Sequence, residues 1–425
     1  MSHVSNDPAL SALEARVNIS NQNVAAAEAA FRQAEALVRE QRSALFPTVN
    51  LSGGATRSGS GGGSSGTTGT TGTTVTGGSG GRASTTYRVS LGASWEPDVW
   101  GRIRRGIESA RGNAQASEAD LAAARLSQQG SLAVDYFDLR SADQQIALLS
   151  QAVAGYQKSL QIAQNRFNAG IAPHSDLLQA QSQLATTQAD LADLGRTRAA
   201  FEHAIAVLSG QTPESFTLAP DPTWSAAIPQ VPAGLPSTLL QRRPDVAAAE
   251  RRAASVSAQI GVETAAYYPS LTLTGSYGFA GAELGKLFSA SNSVWSLGVS
   301  AAETLFNGGL TGARVSAARA AYDQAVARYR QIALAALQDV EDQLAASRVL
   351  AEEYGLRQTA ATDADLAATM VLNQYREGQV AYTSVVTAQA QALNARRTLV
   401  QAGATRETTA VALIQSIGGG WTAPF

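Results

Sequence analysis

Residues 239–279 read LLQRRPDVAAAERRAASVSAQIGVETAAYYPSLTLTGSYGF, and their hydrophobic period changes halfway. From Asp245 to Ala266 the stretch is rich in alanine, with one glycine and no proline, which predicts a helix. Pro244 suits the start of that helix. Beyond Tyr268-Pro269 apolar and polar residues alternate, which predicts a strand with one apolar and one polar face. The stretch is therefore expected to be a helix followed directly by a strand.

The same helix-then-strand unit occurs earlier in the chain. Residues 24–28 (VAAAE) return as residues 246–250, and Phe46-Pro47 returns as Tyr268-Pro269, both 222 residues later. Further along, residues 165–170 (NRFNAG) return as residues 373–378 (NQYREG), 208 residues later. The chain is therefore predicted to be a tandem duplication of about half its length.

Four stretches alternate between apolar residues and Ser, Thr or Gly, and are predicted strands: Pro47–Ala55, Tyr87–Glu96, Leu271–Phe279 and Trp295–Ala301. Alternation is also typical of a soluble sandwich with one wet face. These strands come in two pairs far apart in sequence, and their Tyr, Trp and Phe residues lie toward the strand ends. The pattern therefore favours membrane strands with an aromatic girdle.

Long helices are predicted at Gly106–Ala169, Asp176–Ser209, Thr311–Glu377 and Thr383–Ile417. As a continuous helix the first would span roughly 96 Å. Lengths of this kind indicate packing like that of a coiled coil. Heptad spacing supports this. Leu177, Leu184 and Leu191 are seven residues apart, Ala180, Thr187 and Leu194 lie between them in heptad phase, and the repeat keeps the phase with Val385, Ala392 and Leu399.

Three other segments complete the chain. Asp7–Ala44 is predicted to be one helix, with Asp7 as its N-cap and Pro8 in its first turn. Gly59–Gly81, made of Gly, Ser and Thr with few exceptions, reads as a flexible loop, and Gln211–Pro236 reads as an irregular connector.

Composition argues against several classes of function. The net charge is −2, and the aromatic residues are not interleaved with basic runs, so no nucleic-acid partner is expected. The chain has no cysteine, and its three histidines, His3, His174 and His203, lack metal-ligand spacing. No nucleophile–base arrangement is present, and no run approaches the 18 apolar residues of a transmembrane helix. We expect a conduit without cofactor or metal, and no enzyme.

Several motifs resemble the signatures of TolC-like outer-membrane efflux proteins, in particular the OprM/NodT branch: LLQRRPD at 239–245, WEPDVWGRIRR at 95–105 and IGGGW at 417–421. The resemblance runs from about Asp7 to Trp421. It implies a mainly α protein with membrane β-structure, in which long coiled-coil-like helices form a periplasmic α-barrel. Four strands per chain contribute to a trimeric twelve-strand β-barrel. Two copies would supply eight strands, whose interior fills with side chains, and the resemblance favours three.

The resemblance also implies a division of the chain. Segments 46–100 and 267–307 are the outer-membrane strands, with extracellular loops at 59–81 and 280–293. Segments 101–210 and 308–415 form the periplasmic helical barrel. Segments 1–45, 211–266 and 416–425 are helices and connectors that include the equatorial region.

The implied function is that of a homotrimeric, passive exit duct in the outer membrane of a Gram-negative bacterium. It would meet outer-membrane lipid, a periplasmic adaptor and an inner-membrane pump of the resistance-nodulation-division type, and would carry drugs or other small molecules. The alternative is a soluble periplasmic coiled-coil scaffold or adaptor. Relatives mostly carry a signal sequence and a lipid-bearing cysteine. Neither is visible after Met1, so the chain is expected to start downstream of the natural N-terminus.

The candidate site residues belong to two groups. The first group lies in the helix–helix turns Phe167–Asp176 and Tyr375–Tyr382, which by resemblance form the periplasmic entrance and contact the adaptor: Gly170, Ile171, Asp176, Arg376, Glu377, Gly378 and Val380. Relatives often carry an acidic residue at the position of Val380. The second group is predicted to face lipid: Val89, Leu91, Trp95, Leu271, Leu273, Leu297 and Val299.

Within the turns, Gly170 and Gly378 are expected to end a helix in the left-handed conformation. A pair between Arg376 and Asp176 of the adjacent hairpin is the predicted gate contact. The alternatives are that these turns are ordinary hairpin loops and that their charges are solvated and unpaired.

Overall fold

A computed structural model describes residues 7–59, 83–225 and 242–421. Its helices are α1 (Pro8–Ser20), α2 (Gln22–Ser43), α3 (Arg102–Asn168), α4 (His174–Leu208), α5 (Pro244–Ala265), α6 (Leu310–Arg376) and α7 (Tyr382–Ser416). Its strands are β1 (Thr48–Ser58), β2 (Ser84–Trp95), β3 (Ser270–Gly281) and β4 (Ser293–Ala302). The predicted loop Gly59–Gly81 beyond Gly59, and the predicted connector Gln211–Pro236 beyond Ser225, lie outside the described residues. None of the described helices combines the length and the apolar character needed to cross a membrane.

The duplication predicted from the sequence is confirmed by the lengths of the elements. Helices α3 and α6 have 67 residues each, and α4 and α7 have 35 each. Each helix of the second pair begins 208 residues after its counterpart. Helices α2 and α5 have 22 residues each and begin 222 residues apart.

The single helix predicted for Asp7–Ala44 is wrong, because the chain breaks at Asn21 into α1 and α2. Asp7 is the N-cap of α1, and its side chain accepts from the backbone N–H of Ala9 and Leu10. Asn21 is extended, and its Oδ1 accepts from the N–H of Asn23 at 2.9 Å and of Val24 at 3.2 Å. The amide of Asn21 also donates to the carbonyl of Leu208 at 2.9 Å. A short polar side chain that satisfies the first N–H groups of α2 therefore starts a new helix.

The described residues group into two compact units, of which the first consists of the described residues within Met1–Ala34, Asn113–Ala253 and Ala325–Phe425. Its largest apolar core joins α1, α3, α4 and α7 through Leu10, Leu13, Val17, Leu132, Ala133, Tyr136, Phe137, Leu139, Ile205 and Val411. The heptad positions Leu177, Ala180 and Thr187 are buried, as are Val385 and Ala392 in the repeat. The other predicted heptad positions, Leu184, Leu191, Leu194 and Leu399, are half-buried, so the predicted heptad pattern marks the packed face of each helix.

The connector after α4 is irregular as far as it is described, and buried ion pairs fix it. Asp143 of α3 accepts from Arg140 at 3.1 Å and from Arg198 of α4 at 2.6 Å. Arg198 donates to the carbonyl of Leu218 at 2.7 Å, and the N–H of Asp221 donates to Asp143 at 3.1 Å. Backbone groups without regular secondary structure thus find partners in charged side chains, as buried polar groups must.

Two of the motifs behind the resemblance meet in this unit. Arg243 of the LLQRRPD motif donates to the carbonyl of Ser416 at 3.2 Å and pairs with Asp245 at 2.7 Å. Gly418 of the IGGGW motif has φ +87, and a Cβ there would overlap the carbonyl of Arg242. Glycine is required at this position both by the backbone conformation and by the close approach.

The second unit comprises Glu35–Gly112 and Ala254–Gln324 and contains the sheet. Its strands are antiparallel in the order β1-β2-β3-β4. Leu51 pairs with Leu91, Leu91 with Tyr277, and Tyr277 with Trp295. Because the register keeps residues of one parity together across all four strands, one face is apolar and the other polar. Strands β1 and β4 are the two edges.

Candidate functional site

The two helix–helix turns close with the same backbone motif. The N–H of Gly170 donates to the carbonyl of Phe167 at 2.9 Å, and that of Ile171 to Arg166 at 2.9 Å. The equivalent bonds in the repeat run from Gly378 to Tyr375 at 3.0 Å and from Gln379 to Gln374 at 2.9 Å. The glycines have φ of +70 and +79. This is the Schellman arrangement, and it confirms the expectation that both glycines end a helix in the left-handed region.

An aromatic pair crosses each turn at equivalent positions. The rings of Phe167 and His174 lie 5.1 Å apart, and those of Tyr375 and Tyr382 lie 5.2 Å apart. Each residue of the second pair is 208 positions after its counterpart. Aromatic contacts of this length hold the end of one helix against the start of the next. These pairs were not predicted from the sequence, although the repeat aligns Phe167 with Tyr375 and His174 with Tyr382, all of which have ring side chains.

One side chain joins the two hairpins within the chain. The guanidinium of Arg166 lies 4.6 Å from the ring centre of Tyr375, and its Nη1 donates to the carbonyl of Tyr375 at 2.9 Å. Tyr375 and Tyr382 are buried together with Ala163, Ala180 and Val385. The first turn is thereby attached to the second through a cation–π contact and a charge-assisted hydrogen bond.

The buried tyrosines stay neutral over the whole working pH range. Burial, with smaller contributions from Tyr375, Asp176 and Tyr156, raises the pKa of Tyr382 to about 12. Burial also raises the pKa of Tyr375. The charge of Arg166 opposes this shift, and the charge of Asp176 adds to it. The negative charge of Asp176 thus acts on both phenols. The arrangement can hold the two turns together.

The structure brings some of the predicted turn residues together and leaves others apart. Ile171 is 67% exposed and Val380 packs against the tyrosine cluster. Arg376 donates to Asn373 at 3.4 Å, and Glu377 accepts from Gln379 at 2.8 Å. Among the described residues of one chain, Arg376 and Asp176 form no ion pair with each other. The predicted gate pair is thus not made between the two hairpins of one chain, and between adjacent hairpins of two copies it stays a prediction.

The strand residues predicted to face lipid all lie on the apolar face of the sheet. Trp95 is paired with Leu273, and Leu273 with Val299. Leu91 and Leu297 belong to the same face, and so do Val89 and Leu271. In the single chain Leu297 is 83% exposed and Val299 is 76% exposed. An apolar sheet face on which many large side chains are exposed marks a membrane or protein contact.

The opposite face of the sheet is lined by small polar residues. The hydroxyls of Ser52 and Ser90 lie 2.9 Å apart, and those of Ser276 and Ser296 lie 2.8 Å apart. Thr272 is paired with Ser300 on the same face. Cross-strand hydroxyl pairs of this kind stabilise a wet sheet surface.

The WEPDVWGRIRR motif joins β2 to α3. Asp98 accepts from the N–H of Ile103 at 3.0 Å and of Arg104 at 2.9 Å, so it caps the start of α3. The indole of Trp100 stacks on Tyr268 with ring centres 4.8 Å apart and donates to the carbonyl of Pro269 at 2.7 Å. The indole of Trp95 donates to the carbonyl of Leu45 at 3.0 Å. Amphipathic aromatic side chains thus collect where the strands meet the helices.

No group of three or more His, Asp or Glu side chains is placed to hold a metal ion in the part of the chain that the structure describes.

Comparison with known proteins gives consistent matches over nearly the whole chain. The family model described as "Outer membrane efflux protein" matches residues 5–211 and 235–419. The cation efflux system protein CusC of Escherichia coli O6:H1 is 28% identical over 79% of this chain and 73% of its own length. The solvent efflux pump outer membrane protein SrpC of Pseudomonas putida is 27% identical over 98% of this chain and 86% of its own length.

Solved structures agree with these sequence matches. The outer-membrane channel OprN is 31% identical, with a TM-score of 0.90 over 98% of this chain and 91% of that chain. The open state of the Neisseria gonorrhoeae MtrE outer membrane channel is 27% identical, with a TM-score of 0.86 over 99% of this chain and 91% of that chain.

Proposed function

This chain belongs to the outer membrane efflux protein family, and from that premise we propose that three copies form a passive exit duct through the outer membrane. The duct receives small molecules from an inner-membrane pump through a periplasmic adaptor. The observation that carries the proposal is the four-stranded sheet, which has one exposed apolar face, one polar face and two open edges.

The open edges support assembly from several copies. Backbone groups left unpaired in lipid cost several kcal/mol each, so a membrane sheet has to close. Four strands are too few, since the smallest membrane barrels use eight. Eight strands from two copies would fill their interior with side chains. Twelve strands from three copies leave a lumen, and the Ser, Thr and Gly face suits a water-filled lining.

The apolar face of the sheet favours a protein inserted in lipid over a soluble scaffold or adaptor. Leu91, Leu297 and Val299 are at least half exposed in the single chain. A soluble protein would have to cover such a face with another element, and a bilayer covers it directly. The relatives named as outer-membrane channels favour the same choice.

The two turns are the proposed entrance of the duct and the proposed contact for the adaptor. Each turn is closed by its own Schellman motif and aromatic pair, and Arg166 joins the two turns of one chain. Rigid tips that meet those of the other copies through weak contacts would suit a closed state that an adaptor can open.

The cargo follows from the pump and not from this chain. Relatives of nearly equal identity are named for cations, for solvent and for pyoverdine. A wide polar lumen discriminates weakly among such molecules. We therefore propose drugs or other small molecules in general as cargo.

The mass of the purified protein tests the assembly. In mild detergent we expect the mass of three chains, and loss of solubility when the detergent is removed. A protein that is monodisperse without detergent would favour the soluble scaffold and overturn the duct.

Matched substitutions on the two faces of the sheet test insertion. Leu91→Asp and Leu297→Asp should prevent stable assembly in the outer membrane, since a charge facing lipid costs up to a few kcal/mol at mid-depth, with acids at the lower end. Ser90→Asp and Ser296→Asp place the same charge one residue earlier in each strand, on the polar face, and should be tolerated. The readout is the amount of trimer in outer-membrane fractions. Equal loss from both pairs would contradict the assignment of the faces.

A further inference from the structure

The described strands carry only two charged side chains, and these lie on opposite faces. Arg57 is paired with Thr85 on the parity of the apolar residues, at the end of β1. Arg88 is paired with Gly54 in β1 and with Ala280 in β3, on the parity of the serines and threonines. No acidic residue occupies either face within these strands. The polar face therefore carries one uncompensated positive charge per chain.

The surroundings of Arg88 leave its charge open to solvent. Arg88 is exposed, and its side chain forms neither a hydrogen bond nor an ion pair with any described residue. Its cross-strand neighbours Gly54 and Ala280 are too small to cover it. The nearest residues of its own strand on this face are Thr86 and Ser90, which are neutral.

In the described connections at the two ends of the sheet, some charged residues pair with one another. Lys286 pairs with Glu283 at 2.8 Å in the connection between β3 and β4. Arg102 pairs with Glu96 at 2.8 Å at the start of α3. These pairs do not offset the charge of Arg88, which stands inside the strand. Counting at about 3.4 Å per residue, it lies roughly 14 Å from the Ser84 end and roughly 24 Å from the Trp95 end.

We propose that Arg88 from each of three copies forms a cationic ring inside the β-barrel, which enriches anions over cations in the lumen and favours anionic cargo at the outer exit. The inference rests on the proposed trimeric duct and deepens it. Rings of arginine or lysine are the means by which pores select anions and phosphates.

The dimensions of the barrel make such a ring effective. Twelve strands about 4.8 Å apart and tilted by about 40° enclose a backbone diameter of roughly 24 Å. The long arginine side chain reaches inward from that wall. Its charge then lies within about one screening length of the axis, which is about 10 Å at 0.1 M salt. Three charges at one level thus act on every ion that passes.

Reversal potentials of the full-length trimer in planar bilayers, under a gradient of KCl, test the ring. At about 0.1 M salt, Arg88→Gln should lower the chloride-to-potassium permeability ratio by roughly two- to tenfold. Arg88→Glu should lower it further, and Arg88→Lys should preserve it. At about 1 M salt, where the screening length falls to about 3 Å, the differences should vanish.

Arg57→Gln is the matched control, since it removes the same charge from the apolar face of the neighbouring strand. It should leave the permeability ratio unchanged. Because the chain has no cysteine, Arg88→Cys also provides a single thiol for labelling. A membrane-impermeant methanethiosulfonate bearing a sulfonate should shift the ratio toward potassium, and one bearing a trimethylammonium should shift it toward chloride.

The possible outcomes distinguish a failure of the cationic ring from a failure of the proposed duct. Conducting trimers whose permeability ratio is the same in wild type, Arg88→Gln and Arg88→Glu would overturn the ring and leave the duct standing. An equal shift from Arg57→Gln would also overturn it. Trimers that conduct in no variant, even when Arg376→Ser and Asp176→Ser are added to remove the proposed gate contact, would overturn the duct and the ring together.

Discussion

The guanidinium of Arg166, near the end of α3, lies 4.6 Å from the ring centre of Tyr375, near the end of α6, and donates to the carbonyl of that residue at 2.9 Å. The two residues are 209 positions apart and belong to different copies of the internal repeat. One arginine thus ties the first turn to the second. The equivalent position of the second repeat is occupied by Gln374, so the chain makes this contact between the turns once and not twice.

Replacement of Arg166 should loosen the two turns. Arg166→Met removes the cation–π contact and the charge-assisted hydrogen bond, together worth roughly 1–3 kcal/mol. We expect backbone amides of residues 375–382 to exchange with deuterium about tenfold faster. Arg376→Met is the control, since the side chain of Arg376 donates a hydrogen bond only to Asn373, in its own helix, among the described residues. Equal exchange in the two variants would show that Arg166 does not hold the turns.

The proposed gate contact joins Arg376 to Asp176 of an adjacent hairpin in another copy. An exposed pair contributes about 0.2–1 kcal/mol. Three symmetric pairs would sum to roughly 1–3 kcal/mol, which shifts a closed–open equilibrium about 5- to 150-fold. Arg376→Ser and Asp176→Ser should each raise single-channel conductance to a similar extent, and the double variant should add little. Unchanged conductance in both single variants would assign closure to the packing around Val380 and Ile171.

The contact between β2 and β3 should depend on a single glycine. A Cβ at Gly278 would overlap the carbonyl of Val89 and the backbone of Ser90. Gly278→Ala should therefore force the two strands apart and lower the temperature at which the trimer dissociates in detergent. Gly275→Ala in the same strand meets nothing within 4 Å and should be tolerated. Equal dissociation temperatures for the two variants would contradict the register of this strand pair.

A carboxyl group in α3 should make stability depend on pH. Burial, assisted by the charge of Asp138, raises the pKa of Asp135 from 3.8 to about 6. Because the folded state holds the proton more tightly than the unfolded chain, stability should decrease as the pH rises from about 4 to about 6. Asp135→Asn should therefore raise the thermal midpoint at pH 7.5 more than at pH 4. The exposed Asp363→Asn is the control, and an equal gain at both pH values would argue against a buried charge.

Local signals predicted most of the fold. The period of the apolar residues located both pairs of long helices and all four strands, because helix packing and sheet faces impose that period directly. Gly170 and Gly378 were found for the same kind of reason, since a left-handed helix end favours glycine whatever surrounds it. The break at Asn21 was not predicted, because the segment is rich in alanine, which favours a continuous helix. The repeat itself carried the signal, since the start of α5 at Pro244 aligns with the start of α2 at Gln22.

Contacts between segments that are far apart in sequence could not be predicted from local patterns. The cation–π contact of Arg166 with Tyr375 depends on how two hairpins pack, which neither heptad phase nor capping specifies. Asp7 was recognised as a helix cap, yet it also accepts from Tyr136 at 2.5 Å and from Trp224 at 2.8 Å. Those partners lie 129 and 217 residues away. Only tertiary packing joins these three residues.

The open edges at β1 and β4 have a consequence for how this protein folds. Within one chain each edge presents a row of backbone donors and acceptors that only another chain can satisfy. Ordering of the sheet and association of the copies are then a single equilibrium, which obeys the law of mass action. The temperature at which the protein unfolds should accordingly rise with its concentration in the membrane. A single chain in lipid should not form the folded sheet at all.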